Sequence, residues 1–502
     1  MSSTAQPQPL PLMRLRLATL LFPPLGLLLL WLAPASILRK LFGTLFIGFY
    51  SLLYAALIVA ALVKFAGLQI EWRGGFGPSL TWNKTVPDYD AVEASRAQQA
   101  KAATTPAARS TSTYWADFRG PKRDGHYQEQ SINTNWTGGL KELWRQPVGG
   151  GYASFVVANG LAFTIEQRRN DEAITAYDLE TGREVWAHKY PAMFAESMGG
   201  DGPRATPTWH DGKLYSLGAV GHLICCDAAT GKVLWQRNVL DDSRSANLMY
   251  ALSGSPLVVD EKLIVLAGDP GATGHGVVAY HKDTGEVLWK AFQEKQAYLS
   301  PMLVELAGER QIVFASAFNA VGLSPADGKE LWRFPHSVQY DNNIAQPIVF
   351  GPDKLLLSAG YGKGATALQI GRTADGFAAT QLWHNKFLKN KFASSVLLDG
   401  HVYGLDEDIL TCLEAETGRR QWKDGRYGYG QLLLASGHLV ILCGDGALAL
   451  VKATPEQHIE LARFPAIKGK TWNHPAIADG KLLIRNSVEM ACYDLSAADA
   501  QR

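Results

Sequence analysis

The chain has 502 residues, 47% apolar and 19% charged, and its net charge is +1. That balance gives no electrostatic ground for nucleic-acid binding, which needs a concentrated positive face. The five cysteines form neither a disulfide framework nor a metal-ligand spacing, and 14 tryptophans supply material for one large core.

Taken in chain order, residues 1–13 are polar and Pro-rich and read as disordered. Residues 14–64 read as a membrane anchor of one or two helices. Its first apolar stretch, Leu15 to Ala35, is interrupted by Pro23-Pro24, so it could span or lie partly embedded. The second, Leu41 to Val63, carries no charge over 23 residues and is long enough to cross a bilayer. No small-residue cleavage site marks a secretory signal. Arg14, Arg16, Arg39 and Lys40 flank the first stretch, against Lys64 and Arg73 after the second. The excess of cations puts Arg39-Lys40 in the cytoplasm and everything after Val63 in the periplasm, and membrane lipid is thus the first partner. A two-span hairpin with a cytoplasmic main domain stays open. Residues 65–114 read as a juxtamembrane segment and linker. Phe65 to Pro87, with Trp72 and Trp82, suits either the membrane interface or a small strand pair packed on the main domain. Asp88 to Thr113, poor in large apolar residues, reads as a flexible tether.

Beyond residue 114 one pattern organises the chain. Cys225-Cys226-Asp227-Ala228-Ala229-Thr230-Gly231-Lys232-Val233-Leu234-Trp235 recurs as Ala176 to Trp186, Ala279 to Trp289, Gly322 to Trp332 and Cys412 to Trp422. Looser copies run from Ala367 to Trp383 and from Ala449 to Phe464. Thr-Gly supplies the positive-φ position of a tight hairpin between two short apolar strands. A period of roughly 40 to 50 residues with several short strands per unit is that of a β-propeller blade. A lone closing half, Leu143-Trp144-Arg145, and a lone opening half, Cys492-Tyr493-Asp494, complete an eighth unit. The fold expected is therefore all-β: an eight-bladed propeller of four-stranded antiparallel blades over 140–495. A lead-in at 115–139 precedes it, a tail at 496–502 follows, and the α-helical anchor stands in front.

The lead-in Trp115-Ala116-Asp117-Phe118-Arg119-Gly120-Pro121-Lys122-Arg123-Asp124-Gly125, together with the Asp-Ala-Ala-Thr-Gly-Lys-Val-Leu-Trp repeat, resembles the pyrroloquinoline-quinone-like (PQQ-like) propeller proteins of bacteria over residues 115–495. That superfamily includes quinoprotein alcohol dehydrogenases, which hold PQQ and calcium on the propeller axis. It also includes the cofactor-free propeller lipoprotein of the outer-membrane β-barrel assembly machinery. The resemblance implies a membrane-anchored member. The expected function is a tethered binding or scaffold module without redox cofactor, the alternative being a PQQ- and calcium-dependent alcohol dehydrogenase. A propeller acting on a polymer or sugar by other chemistry is a third reading.

The dehydrogenases carry a disulfide between adjacent cysteines, and Cys225-Cys226 offers a match. Its register argues otherwise: Cys225 takes the position that Ala, Gly or Cys takes in every unit, mid-strand, where small volume is wanted. Cys225, Cys226, Cys412 and Cys492 are expected buried and reduced. The repeat's Asp (Asp178, Asp227, Asp494) reads as a turn residue, and its Trp as core between blades. Loops entering the inner strands break the repeat and carry the candidate site: Glu166, Gln167, Arg204, Arg426, Tyr429, Trp472, Asn473 and His474. They are expected to face one another at one end of the channel and to hold an anion, a sugar-like ligand or a peptide of another envelope protein. Arg204 and Arg426 offer donor forks, Trp472 and Tyr429 stacking planes, and His474 a group titrating near neutrality. Cross-linking of blades is the competing reading of these loops. No catalytic residue and no metal ligand is assigned, and no cofactor is expected unless the dehydrogenase reading holds. Glu166, Asp201 and Asn473 stay open as calcium ligands.

Overall fold

The structure is a computed structural model that describes residues 12–75, 77–82, 86–101, 110–374 and 376–497. The disorder expected for 1–13 falls almost wholly outside those residues. The chain divides into two units, residues 1–84 and 85–502.

In the first unit, the Pro-interrupted first apolar stretch folds as two short helices, α1 (Leu12–Leu21) and α2 (Pro23–Leu32). The break follows from Pro23-Pro24, which fit a helix only in its first turn and push Phe22 out of helical backbone. Helix α3 (Ile37–Phe65) contains the expected 41–63 span and is long and apolar enough to cross a membrane. Within Phe65 to Pro87 a short strand pair forms, Gln69–Glu71 against Ser79–Thr81.

The second unit holds eight blades of four antiparallel strands, and His126–Tyr127 of the lead-in adds to the seventh as a fifth, parallel strand. Blade one runs from Val156–Ala158 to Glu184–Pro191, blade two from Thr208–His210 to Val233–Asn238, and blade three from Leu257–Val259 to Val287–Ala291. Blades four to seven begin at Met302–Leu306, Ile348–Val349, Val396–Leu398 and Gln431–Ala435. Blade eight combines Ala476–Ala478, Lys481–Arg485 and Glu489–Asp494 with the N-terminal strand Glu142–Pro147, Cys492 standing opposite Trp144. The ring thus closes on itself, the two ends of the propeller sharing blade eight.

The repeat has one mechanical reason. In most blades the small residue stands directly opposite the Trp, as Cys225 does to Trp235 and Ala279 to Trp289. The indole then reaches into the next blade: Trp144 Nε1 donates to Leu179 O at 2.9 Å, and Trp186 Nε1 to Ala228 O at 3.0 Å. There the ring covers the next blade's turn glycine. A Cβ on Gly182 would lie 2.5 Å from Trp144, so glycine is required both by φ +67° and by the ring above it. Asp227 accepts from Thr230 N (2.9 Å) and Oγ1 (2.6 Å), the turn role expected of it. Blade seven departs from the pattern: Arg463, not Phe464, stands opposite Ala449, so the copy ending at Phe464 is one residue out of register.

Two segments differ from expectation. Residues Tyr89–Lys101 of the presumed tether form helix α4, docked where the ring closes. Arg96 donates to Pro147 O (2.8 Å) on the closing strand, and Gln99 accepts from Glu184 N (2.9 Å) on blade one. Its Ala, Gln, Glu and Arg are good helix formers, and its polar side chains rather than an apolar stripe hold it to the ring. The lead-in, for its part, enters the channel and lies along the inner strands.

Candidate functional site

In each blade the first strand begins, the second turns into the third, and the fourth ends on one common face. The Thr-Gly turns lie on the other. The first, the loop face, carries every entry loop. Beneath it a belt of hydrogen bonds passes from blade to blade round the axis. Ser154 N donates to Thr206 Oγ1 (2.9 Å), Thr206 N to Ser255 Oγ (3.1 Å) and Ser255 N to Ser300 Oγ (2.9 Å). Ser300 N then donates to Gln346 Oε1 (2.9 Å), and Gln346 N to Ser394 Oγ (3.1 Å). Gln431 Nε2 joins Phe392 O and Trp472 O, both at 2.9 Å, and Ser154 Oγ closes the circle on His474 O at 2.6 Å.

Two residues before each belt position stands Tyr152, Arg204, Ser253, Tyr298, Ile344, Phe392, Tyr429 or Trp472. Their rings meet across blades. Arg204 lies over Tyr152 (5.7 Å), Tyr152 against Trp472 (5.5 Å), Trp472 against Phe392 (4.6 Å) and Phe392 against Tyr429 (5.7 Å). Two buried ammonium groups sit among them. Lys391 Nζ is 4.7 Å from the Tyr361 ring and 5.1 Å from Tyr429, and Lys470 Nζ is 4.4 Å from Trp472. Burial lowers the Lys391 pKa, with Glu407 opposing the shift, and burial also pushes the Tyr361 and Tyr429 hydroxyls up to about 12. Around this aromatic cluster the loop face exposes Met193, Met249, Phe318 and Tyr340, the last two-thirds exposed and held at φ +62°.

Of the eight residues picked from sequence, Arg204, Trp472 and Tyr429 come together, linked by Tyr152 and Phe392. Arg426 ends the outer strand of blade six rather than beginning an inner one, 71% exposed at the rim with Asp408 at 2.5 Å. Glu166 and Gln167 belong to the second strand of blade one and lie inside the blade. Burial raises the Glu166 pKa, but Arg168, Arg485 and Arg96 outweigh it and hold the carboxyl below its ordinary value. Gln167 Nε2 ties Arg169 O, Asp171 O and Ala192 O. Asn473 Nδ2 donates to Ala153 O (3.0 Å) and links blades eight and one. His474 does not titrate near neutrality. Burial, then the neighbouring Arg119, pushes its pKa well below the usual histidine value, and it stays uncharged.

On the axis, Arg119 and Arg123 of the lead-in are buried. Arg119 donates to Ser395 O (3.0 Å), and Arg123 to Ser255 O (3.1 Å) and Pro301 O (2.8 Å) while pairing with Asp117 at 2.7 Å. Their forks satisfy inner-strand carbonyls that face the channel. Cys225 and Cys226 are free. They point to opposite faces of one strand, Cys225 among Tyr215 and Trp235 and Cys226 among Leu214 and Ile224, and burial pushes both thiols up to about 12.

Curated relatives include quinoprotein alcohol dehydrogenase PedH of Pseudomonas putida, 30% identical over 201 residues. These cover 36% of this chain and 30% of that protein. The dehydrogenase subunit of the alcohol dehydrogenase (quinone) of Gluconobacter oxydans is 28% identical over 244 residues, 47% of this chain and 30% of that one. The chain thus spans less than a third of the length of these relatives. Among solved structures, BamB from Moraxella catarrhalis superposes with a TM-score of 0.50 at 14% identity, over 70% of this chain and 97% of that one. Quinohemoprotein alcohol dehydrogenase ADHIIG of Pseudomonas putida HK5 gives 0.54 at 12% identity, over 76% and 80%; both likenesses show the fold alone. A family model described as outer membrane protein assembly factor BamB matches residues 79–188 and 170–424. Matched over more than half its length, the chain belongs to that family of PQQ-like propellers.

Proposed function

We propose that this protein is a binding or scaffold propeller, tethered in the inner membrane with its ring in the periplasm. It engages a partner through the loop face and works without a redox cofactor. The observation that carries the reading is the distribution of side chains about the axis. The channel interior is taken up by the lead-in, the belt and the aromatic cluster, while large apolar side chains stand exposed on the loop face. Tyr, Trp, Arg and Met in one patch are the residue types that dominate protein–protein contact. The family's description as an outer-membrane assembly factor agrees with such a role.

The second reading, a PQQ- and calcium-dependent alcohol dehydrogenase, draws on the names of the curated relatives. The residues present do not suit that pair. Calcium takes six to eight oxygen ligands, and among the described residues no three His, Cys, Asp or Glu converge. On the loop face, Glu196 accepts from Met198 N (2.7 Å), Gly200 N (3.1 Å) and Arg204 (3.2 Å), and Asp341 pairs with Lys295 (2.8 Å). Glu166 is locked against Arg168, and the lead-in brings the buried cations Arg119 and Arg123 to the axis. Cysteines on opposite faces of a strand cannot form the adjacent disulfide.

Photo-crosslinking in cells tests the scaffold reading. A benzophenone side chain at Met249 or Tyr340 is expected to trap one discrete protein adduct, and one at the outer-strand position Leu382 none. Equal, diffuse labelling from all three positions would remove the loop face as the docking surface.

A further inference from the structure

We propose that α1 and α2 form a re-entrant hairpin, entering one leaflet and returning to the side it came from, beside the single crossing made by α3. This rests on the anchoring read above and concerns the part of the anchor that sequence left open.

Each of the two helices has 10 residues, or about 15 Å, half the roughly 30 Å hydrocarbon core. They are not two halves of one kinked span. Thr19 and Gly26 lie equally far from the Phe22-Pro23 break, and a Cβ on Gly26 would run into the Thr19 side chain and backbone, so α1 doubles back along α2. Antiparallel packing against α3 fixes the depth of the bend. Near its base, Trp31 Nε1 donates to Thr44 Oγ1 (3.0 Å), and Leu30 fills the space over Gly43. At the apex, Tyr50 Oη donates to Leu20 O (3.1 Å) and Tyr54 Oη to Leu21 O (3.0 Å). From Lys40 to Tyr54 is about 21 Å along α3, short of a full crossing.

The polar contacts are those that lipid demands. A helix ending inside hydrocarbon leaves its last carbonyls without water, so they must be met from within the protein. Here α3 supplies both tyrosine hydroxyls at the apical end of α1, and Lys40 Nζ donates to Trp31 O (2.9 Å) at the basal end of α2. Apart from Arg16, exposed in the first half of α1, the outward surface is dominated by apolar side chains such as Leu20, Phe22, Leu28, Phe46 and Leu52. The hairpin returns Arg16 toward the side of Arg39 and Lys40, so these cations gather on one side of the bilayer, as positive-inside sorting favours. The occupant of this surface is lipid of that leaflet.

The test is labelling of single-cysteine variants of the full-length chain by a membrane-impermeant maleimide, in spheroplasts and in inverted vesicles. Leu12→Cys and Ala35→Cys are expected to label from one side, Ala66→Cys from the other, and Phe22→Cys from neither. Labelling of Leu12→Cys from the side of Ala66→Cys means that residues 12–32 span, and overturns the hairpin while the anchor stands. Labelling of Phe22→Cys from the side of Ala35→Cys means that the helices lie on the surface, and also overturns it. If Ala35→Cys and Ala66→Cys label from the same side, α3 does not cross, and the anchoring reading itself fails.

Discussion

Arg123→Ala probes the axis most sharply. The side chain is 2% exposed, bonds Ser255 O, Pro256 O and Pro301 O, and makes a two-point pair with Asp117. Its removal strips three channel-facing carbonyls of a charged donor and leaves the Asp117 carboxylate without a cation, with only Phe118 N and Thr208 Oγ1 as donors. Breaking a buried pair costs about 3–5 kcal/mol. The vacated space is polar and can admit water, which returns part of the carbonyl bonding. A net loss of about 4 kcal/mol is expected, and about 2 for Arg123→Lys, which keeps the charge but not the fork. The assay is guanidinium unfolding of the full-length protein in detergent, followed by Trp fluorescence, with the midpoint shift read at unchanged slope. Arg426→Ala, a surface pair, serves as control at less than about 0.5 kcal/mol. If Arg123→Ala costs under about 1 kcal/mol, the lead-in is a surface wrap and the account of the axis is wrong.

Other outcomes follow from the same contacts. Cys225→Ala costs about 1 kcal/mol or less in the same assay, because alanine already fills that place at Ala176, Ala279, Ala367 and Ala449. The Glu166 carboxyl has a lowered folded pKa, so its contribution is whole above the ordinary glutamate value and disappears as pH falls through the lowered one. Glu166→Gln should therefore weaken the ring at pH 7 and flatten its acid limb, which stability curves from pH 7 to 3 would show. Arg96→Ala removes the contact of α4 with the closing strand and with Glu184, and should cost about 2 kcal/mol. Limited proteolysis is then expected to release the segment before residue 110 faster.

The ring was legible because its repeat has a steric cause. A glycine under the neighbouring blade's indole and a small residue opposite it leave a fixed spacing, which counting recovers. Blade seven misled by one residue because Phe464 imitates the aromatic that Arg463 replaces. The site was harder to read. The signal was present as an aromatic or Arg two residues before a Ser, Thr, Gln or His, as in Tyr152-Ala153-Ser154 and Trp472-Asn473-His474, but it lies in loops of unequal length that align only through the belt. Polarity alone pointed to Glu166, Gln167 and Asn473, whose partners are backbone groups and arginines of neighbouring strands. Helix α4 was missed because polar contacts hold it, and those leave no hydrophobic period to read.

Whether the propeller takes up PQQ is settled by loading it. The full-length protein in detergent is incubated with PQQ and Ca²⁺, passed through gel filtration, and assayed for retained quinone absorbance and for dye reduction with primary alcohols. The account predicts no quinone eluting with the protein and no alcohol-dependent reduction. Stoichiometric retention of PQQ with turnover of an alcohol would contradict it.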